Sequence, residues 1–365
     1  MVHAVYSLDG AGAVEARARA EIDAALTSGH EVVAVTDRLR GRPPAGARVW
    51  ASVGHGLWRG LPAPGAELAA MCVIWRGLER ALADAAPDVI VFHNSTLAWP
   101  ALRAARAHGA RSVFVVHALI SDRLASGGSP YGAATTALYR AANRAALRGS
   151  DTVVCVSGHM ARTARADGVP PERLKVAPNP VDTDFFRPVG DQRDIDVLFV
   201  GRLSQEKGVD VLLRALADLP RGHRAVVAGD GPLRGQLESQ AKASGANVQF
   251  KGWVDRDGLR ALYARSAVQV VPSRSEPQGV VVLEALASGT PVIGSDVGGI
   301  AEMVSDGENG WLVDPGRPDL LGASISAALA DRERLEQMRG AARDSVARFA
   351  RGSFPEVLAD AYLAG

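Results

Sequence analysis

Residues 275–299 read SEPQGVVVLEALASGTPVIGSDVGG. A β-rich run, AVQVV, precedes them at 267–271, and the stretch closes on a second, PVIGS, at 291–295. Between the two, Val280 to Ser288 reads as a helix, so the order is strand, loop, helix, strand, the unit of a parallel sheet covered by helices. In such sheets ligands gather beyond the carboxyl ends of the strands. The loop there holds Glu276, Pro277 and Gly279 and leads into the amino end of the helix. Free N–H groups and a dipole equivalent to roughly +0.5 charge favour an anion at that end, which a pyrophosphate supplies without a metal. Glu276 lies before the helix and Glu284 about one turn inside it. Carboxylates are strong acceptors for paired hydroxyls, so one can take a sugar ring and the other a ribose.

The same alternation extends in both directions. DVLFV (196–200), RAVVAG (224–229), NVQF (247–250) and GWLV (310–313) share the second half with it. The first half has HAVYS (3–7), a helical stretch from Ala13 to Ser28, then EVVAVT (31–36), DVIVF (88–92), SVFVV (112–116) and TVVCVS (152–157). Between them PNPVDTDFFRPVGDQRD (178–194) has no periodicity, which places a junction near 180–192. The expected division is 1–184, 185–350 and a terminal helix within 351–365 packing back on the first domain. A length of 365 residues agrees with two domains.

The composition is 47% hydrophobic and 22% charged, with 41 Lys+Arg against 40 Asp+Glu. Long disorder and a nucleic-acid-coating surface are disfavoured. Residues 1–184 hold 20 Lys+Arg against 16 Asp+Glu, a mild excess that permits an anionic acceptor or a membrane surface there. Two cysteines, Cys72 and Cys155, exclude a disulfide framework and a four-thiolate zinc site. The start lacks a basic segment followed by an apolar run, and no stretch approaches the roughly 18 apolar residues of a membrane span. The expected location is the cytoplasm, with peripheral contact at the inner face of the cell membrane left open.

After DVLFV comes GRLSQEKG, where Gly201 allows close backbone approach and Arg202 and Lys207 place two cations ahead of a helix from Val209 to Ala217. Lysine is rare here (Lys175, Lys207, Lys242 and Lys251), so one in this loop stands out. Such a loop suits a diphosphate, although solvated basic residues would read the same in isolation.

The succession VGRLSQEKG, VAGDGP, FKGWV and SRSEPQGVVVLEALASGTPVIGSDVGG, in order over 197–315, resembles the donor-binding half of retaining GT-B glycosyltransferases of the family-4 type. VSGHMARTARADGVPPERLKVAPNPVDTDFF, at 156–186, resembles the stretch that closes the first domain of that family. The resemblance implies an α/β protein of GT-B fold: two Rossmann-like, doubly wound domains facing across a cleft, with the C-terminal helix crossing back. It implies transfer of a sugar from a nucleotide diphosphate donor, UDP by family prevalence, to a small-molecule or lipid-linked acceptor, with no cofactor and no essential metal. Arg202 and Lys207 match the pair that neutralises the diphosphate, Glu276 the carboxylate on the donor sugar and Glu284 the one on the ribose. Gln278, Gly279, Val280 and Val281 match the loop whose amides meet sugar and phosphate. Val254 matches the position that reads the nucleobase, Gly229 and Gly231 line that pocket, and His117 matches a histidine near the sugar's reactive face. The sequence departs from the family where two adjacent glycines are frequent, having Gly12 and Ala13, and at Ala118 and Pro180.

Other motifs compete. Gly10, Gly12 and Glu15 with Asp37 partly imitate a dinucleotide fingerprint, but Glu15 occupies the third glycine's place. Asp182 with Asp184, and Asp194 with Asp196, form D-x-D pairs that a metal-dependent transferase would use and that turns use more often. Trp50, Trp58, Trp75 and Trp99 suit a membrane-touching face or ordinary packing, and MCVIWRGLERAL has the spacing of a helix facing its own sheet. A nucleotide-sugar epimerase, an NAD-linked enzyme and a non-catalytic nucleotide-sugar-binding protein are the alternatives.

Overall fold

The computed structural model describes residues 1–7, 13–38, 45–51, 65–83, 86–125, 132–190, 193–220 and 222–362. Its strands fall into two parallel sheets. The first contains β1 (Val2–Ser7), β2 (Val33–Arg38), β3 (Arg48–Ala51), β4 (Val89–Phe92), β5 (Arg111–Val116), β6 (Thr152–Cys155) and β7 (Leu174–Val176), in the order β3-β2-β1-β4-β5-β6-β7. The second contains β8 (Ile195–Val200), β9 (Ala225–Ala228), β10 (Val248–Gly252), β11 (Ser266–Val271), β12 (Val292–Ser295) and β13 (Gly310–Val313), in the order β10-β9-β8-β11-β12-β13. These strands are short apolar runs because helices cover both faces; every residue of β4, β6, β9 and β12 is buried.

In each sheet the order reverses once, between β1 and β4 and between β8 and β11. A doubly wound sheet opens a crevice at that point, just past the strand ends. In the second sheet the flanking loops are Gly201–Gly208 and Pro272–Gly279, each feeding a helix, Val209–Ala217 and Val280–Ala287. Both segments singled out in the sequence therefore meet at one place.

The chain divides into two units, residues 1–180 with 352–365 and residues 181–351. In the first, the terminal helix Phe354–Tyr362 packs on the helix Ala13–Thr27, its Phe354, Leu358, Ala361 and Tyr362 joining Ala20, Ala24 and sheet residues Val91, Val113 and Val115 in one core. On the other face, Ile74 and Leu78 of the helix Gly65–Ala83 are buried with Val33 and Val35, so the stripe within MCVIWRGLERAL faces its own sheet. Each such aliphatic side chain contributes about 1.5–3 kcal/mol by leaving water. In the second unit, Val197, Phe199, Val268 and Val270 pack against Val209, Leu212 and Leu216 on one side. Leu198, Val200 and Val271 pack against Val282, Leu283 and Leu286 on the other.

Candidate functional site

The crevice of the second unit is built from backbone laid on backbone. Gly229 has φ of +140°, and a Cβ there would stand 1.8 Å from the Gly201 carbonyl oxygen. A Cβ on Gly231 would meet the Leu203 carbonyl oxygen at 2.4 Å, and one on Gly208, with φ of +66°, the Pro272 carbonyl oxygen at 2.0 Å. Only glycine lets these loops touch, whereas an added methyl must displace main chain.

Arg274 ties the two loops across the crevice. Its N–H donates to the Glu206 carbonyl at 2.8 Å, and its guanidinium donates to the Gln205 carbonyl and to both oxygens of Asp210, each at 2.8 Å. The guanidinium holds the Asp210 carboxyl below the usual carboxylate range. Neither residue was singled out in the sequence, yet the forked contact fixes where the loop carrying Lys207 ends.

Lys207 and Glu276 meet directly: Nζ donates to Oε2 at 2.6 Å, and Ser273 Oγ lies 3.4 Å from the same oxygen. The ammonium side chain is 25% exposed and the carboxylate 7%. Arg202 is exposed, and its guanidinium has no hydrogen-bond or ion-pair partner among the described residues. One cation is thus unengaged and the other is held by a carboxylate that a ligand can replace.

Gly279 has φ of +93° and is the N-cap of the helix Val280–Ala287, with no side chain capping that end. Val280 and Val281, half-buried, supply its first turn, and Gln278 and Gly279 are buried before it. Gly298 and Gly299 close over this loop: a Cβ on Gly298 would lie 2.0 Å from the Glu276 carbonyl oxygen, and Gly299 N–H donates to that carbonyl at 2.9 Å.

Glu284 stands apart from Glu276. It accepts from the buried Tyr263 hydroxyl at 2.9 Å, and burial pushes its carboxyl up to about 7. Burial, with Glu284 alongside, pushes the Tyr263 phenol well up, which keeps it a donor. Half-buried Val254 follows Trp253, which is 69% exposed. Of the rival carboxylates, Asp182 accepts from Arg256 and the Phe185 N–H, Asp194 from Arg224 and Arg265, and Asp196 from the Arg224 N–H, while Asp184 is exposed. Among the described residues no group of three or more His, Cys, Asp or Glu is gathered as a metal would require.

In the first unit His117 follows β5, half-buried, with Nε2 3.1 Å from Nδ1 of His93, which follows β4. Burial, then His93 and Arg17, hold His117 well below the ordinary imidazole range. Gly12 lies outside the described residues, as do Gly10 and Trp58. Cys155 is a buried free thiol that burial pushes up to about 12, an inert packing group. No helix among the described residues is long and apolar enough to cross a membrane.

Comparison with known proteins follows the same division. The family described as Glycosyltransferase Family 4 matches residues 14–185, and Glycosyl transferases group 1 matches residues 181–345. An uncharacterized glycosyltransferase of Methanocaldococcus jannaschii is 41% identical over 153 residues, 40% of this chain and 39% of that protein. The glycogen synthase of Mycobacterium tuberculosis is 31% identical over 267 residues, 70% of this chain and 64% of the other. The matched stretches therefore span less than two thirds of these relatives' lengths. Among solved structures, sucrose-phosphate synthase from Thermosynechococcus elongatus has a TM-score of 0.85 at 22% identity, covering 97% of this chain and 96% of that one. HepE of Anabaena, in complex with UDP-glucose, has a TM-score of 0.78 at 20% identity, covering 98% of each. At such identities these two structures speak to the fold alone.

Proposed function

Because the chain belongs to the family-4 type of glycosyltransferases with the GT-B fold, we propose that it moves a sugar from a nucleotide diphosphate sugar to an acceptor hydroxyl. UDP is the nucleotide in this reading, the anomeric configuration is retained, and no metal is essential. The donor occupies the second unit and the acceptor the first. The observation that carries the reading is the direct contact of Lys207 with Glu276 at the switch point of the second sheet, with Arg202 exposed on the same loop as Lys207 and an uncapped helix terminus following Glu276.

The chemistry follows from charge. As the bond between the anomeric carbon and the phosphate oxygen breaks, the electron pair leaves with the β-phosphate and the sugar ring becomes cationic. Arg202, Lys207 and the amides opening the helix Val280–Ala287 stabilise the growing negative charge, an interaction stronger in the transition state than before it. The acceptor oxygen attacks the same face, and its proton passes to the departing phosphate. Glu276 accepts from the sugar hydroxyls once phosphate has taken over Lys207, Glu284 accepts from the ribose, Val254 lies at the base, and His117 stands at the sugar's reactive face. Gly201, Gly229 and Gly231 line the nucleotide's place, where Gly229 and Gly231 let the loops lie main chain on main chain.

On the acceptor side, the helices Ala98–His108 and Ala133–Gly149 contain no acidic residue and expose Arg103, Arg106, Arg140, Arg144 and Arg148, of which Arg103, Arg106 and Arg148 line one hollow with Trp99. That supports an acceptor bearing negative charge, as a small phosphorylated molecule or on a lipid, at the cytoplasmic face of a membrane. A screen of donors against acceptors that follows nucleotide release tests the activity. Crystals soaked with UDP test the site: the diphosphate is expected beside Arg202 and Lys207, and a nucleotide bound anywhere else refutes the assignment.

A further inference from the structure

Glu21 and Glu284 each accept from a buried tyrosine hydroxyl, and their settings differ. Glu21, on the helix Ala13–Thr27, takes Arg17 Nε and the Tyr362 hydroxyl on one oxygen, and Arg17 and Glu21 are 1% and 0% exposed. A carboxylate matched to a buried cation in this way is a packing element. Glu284, on the helix Val280–Ala287, is half-buried, and the one partner of its carboxylate among the described residues is the Tyr263 hydroxyl, 2.9 Å from Oε2. Its other oxygen, Oε1, is left over.

Tyr263, 0% exposed, lies in the last turn of the helix Arg256–Arg265 and is held at three points. Its carbonyl accepts from Thr290 Oγ1 at 2.8 Å and from Arg193 Nη1 at 3.1 Å. Its ring stands edge-on to the buried Phe186, with centroids 5.8 Å apart and planes at 78°. Its hydroxyl then meets Glu284. A side chain fixed at main chain, ring and hydroxyl does not follow a mobile carboxylate; it selects one of the rotamers that a free glutamate would sample.

Donor and acceptor chemistry decides what the free oxygen offers. Burial and the adjoining carboxylate keep the phenol protonated, so it donates. An ionised Glu284 then presents Oε1 as a bare acceptor for hydroxyls, whereas a protonated one carries its hydrogen on Oε1 and meets them as a donor. Burial raises the Glu284 carboxyl to about 7, and the Tyr263 hydrogen bond and Arg256 work against that rise. Arg256, on the same helix as Tyr263, is itself paired with Asp182 at 2.7 Å. Of the other elements packed on Val280–Ala287, β11 and β12 carry no charged residue, and Ile300–Met303 carries Glu302. On the helix Arg332–Ser345, Arg339 pairs with Glu336 and Arg343 donates to the Ala287 carbonyl, at the far end. Glu276 is taken up by Lys207.

We propose that Tyr263 is a positioning residue for the nucleotide: its hydroxyl holds Glu284 by Oε2, so that Oε1 is presented to the ribose as an acceptor. The encounter with a ribose rests on the reading given under Proposed function, whereas the hold itself belongs to the second unit and needs no ligand.

Calorimetry of the full chain with UDP and with 2′,3′-dideoxy-UDP, across roughly pH 6 to 9, reads the ribose contact as the ratio of the two affinities. Tyr263→Phe removes one oxygen and keeps the ring. It is expected to shrink the preference for UDP about tenfold near neutral pH, the scale of one hydrogen bond to a charge. Dideoxy-UDP should bind as before. The pH at which the preference develops should move up by about one unit, because the ionised form has lost a donor. In a Glu284→Gln background the same substitution should leave the ratio alone, the signature of two residues acting through one contact. Carbon-13 NMR of the wild type with labelled tyrosine and glutamate needs neither a ligand nor a variant: the Tyr263 ring carbon bearing the hydroxyl should shift with the same midpoint as the Glu284 carboxyl. A Tyr263 ring carbon blind to that titration, a Tyr263→Phe ratio and midpoint equal to wild type, or an equal weakening of both nucleotides overturns the proposal. A wild type that binds the two nucleotides alike, with the two titrations still coupled, would instead overturn the placing of Glu284 on the ribose.

Discussion

Each unit joins a basic side chain to a glutamate, and the two pairs differ in depth. Arg17 and Glu21 are sealed beneath the terminal helix, whose Tyr362 hydroxyl donates to Glu21, whereas Lys207 and Glu276 sit where two loops end, the ammonium side chain a quarter exposed. A sealed pair cannot exchange partners without leaving a bare charge in a low dielectric, so it serves to fix geometry. An open pair can exchange them, and in the proposed reaction phosphate competes for the ammonium and sugar hydroxyls for the carboxylate. The same two functional groups thus act as a brace in one sheet and as a site awaiting its ligand in the other.

The comparison breaks first on stability. Glu21→Ala strands a buried guanidinium and is expected to cost about 3–5 kcal/mol in urea unfolding, with Glu276→Ala costing clearly less; equal losses would erase the distinction. Turnover provides the next test. Arg202→Ala and Lys207→Ala each remove one proposed stabiliser of the leaving group and are expected to lower kcat by about 10² to 10³ at saturating donor. Near-normal turnover would remove both from the reaction. Glu276→Gln sharpens the idea of exchange, since sugar transfer should suffer more than binding of free UDP by calorimetry, and equal losses would reject its place on the sugar.

A pH series has a smaller effect. Glu284 is raised from an ordinary 4.5 to about 7, and in the proposed complex a ribose hydroxyl donates to its ionised form. UDP affinity is therefore expected to rise by at most about tenfold per pH unit up to about 7 and then level. Stability runs the opposite way: the folded chain keeps this proton longer than the unfolded one, so the group costs stability progressively as pH rises from about 4.5 to about 7. Glu284→Gln should flatten both curves. Smallest are the helix caps, Ser157 accepting from Met160 N–H and Asp255 from Gly258 N–H. Alanine at either should cost about 1 kcal/mol and leave transfer unchanged, since caps are local in both units.

Much of the fold is legible because apolar runs in a parallel sheet are buried on both faces and announce themselves. The helix after Gly208 spans Val209–Ala217 and the one after Gly279 spans Val280–Ala287, close to where the sequence places them. Lys207 and Glu276 are read from type and loop position, and their direct contact is a matter of geometry alone. Asp210 with Arg274, and Tyr263 with Glu284, escape the sequence because each pair joins residues far apart whose types are ordinary on a surface. The set around Glu21 had a faint signal, an Arg and a Glu spaced by one turn among alanines and an isoleucine on a buried face. Such a spacing reads equally as a solvated pair until the terminal helix is seen to cover it.

The glycine contacts of the second crevice separate two kinds of change. Where main chain rests on main chain, at Gly208, Gly229 and Gly298, even one methyl is refused, so the seat proposed for the phosphates is rigid against mutation. Val254 and the rim around Glu276 carry side chains instead, so a change of residue there need not displace main chain. A lineage could therefore retune which sugar it accepts, one residue at a time, on an anion cradle that never has to be rebuilt.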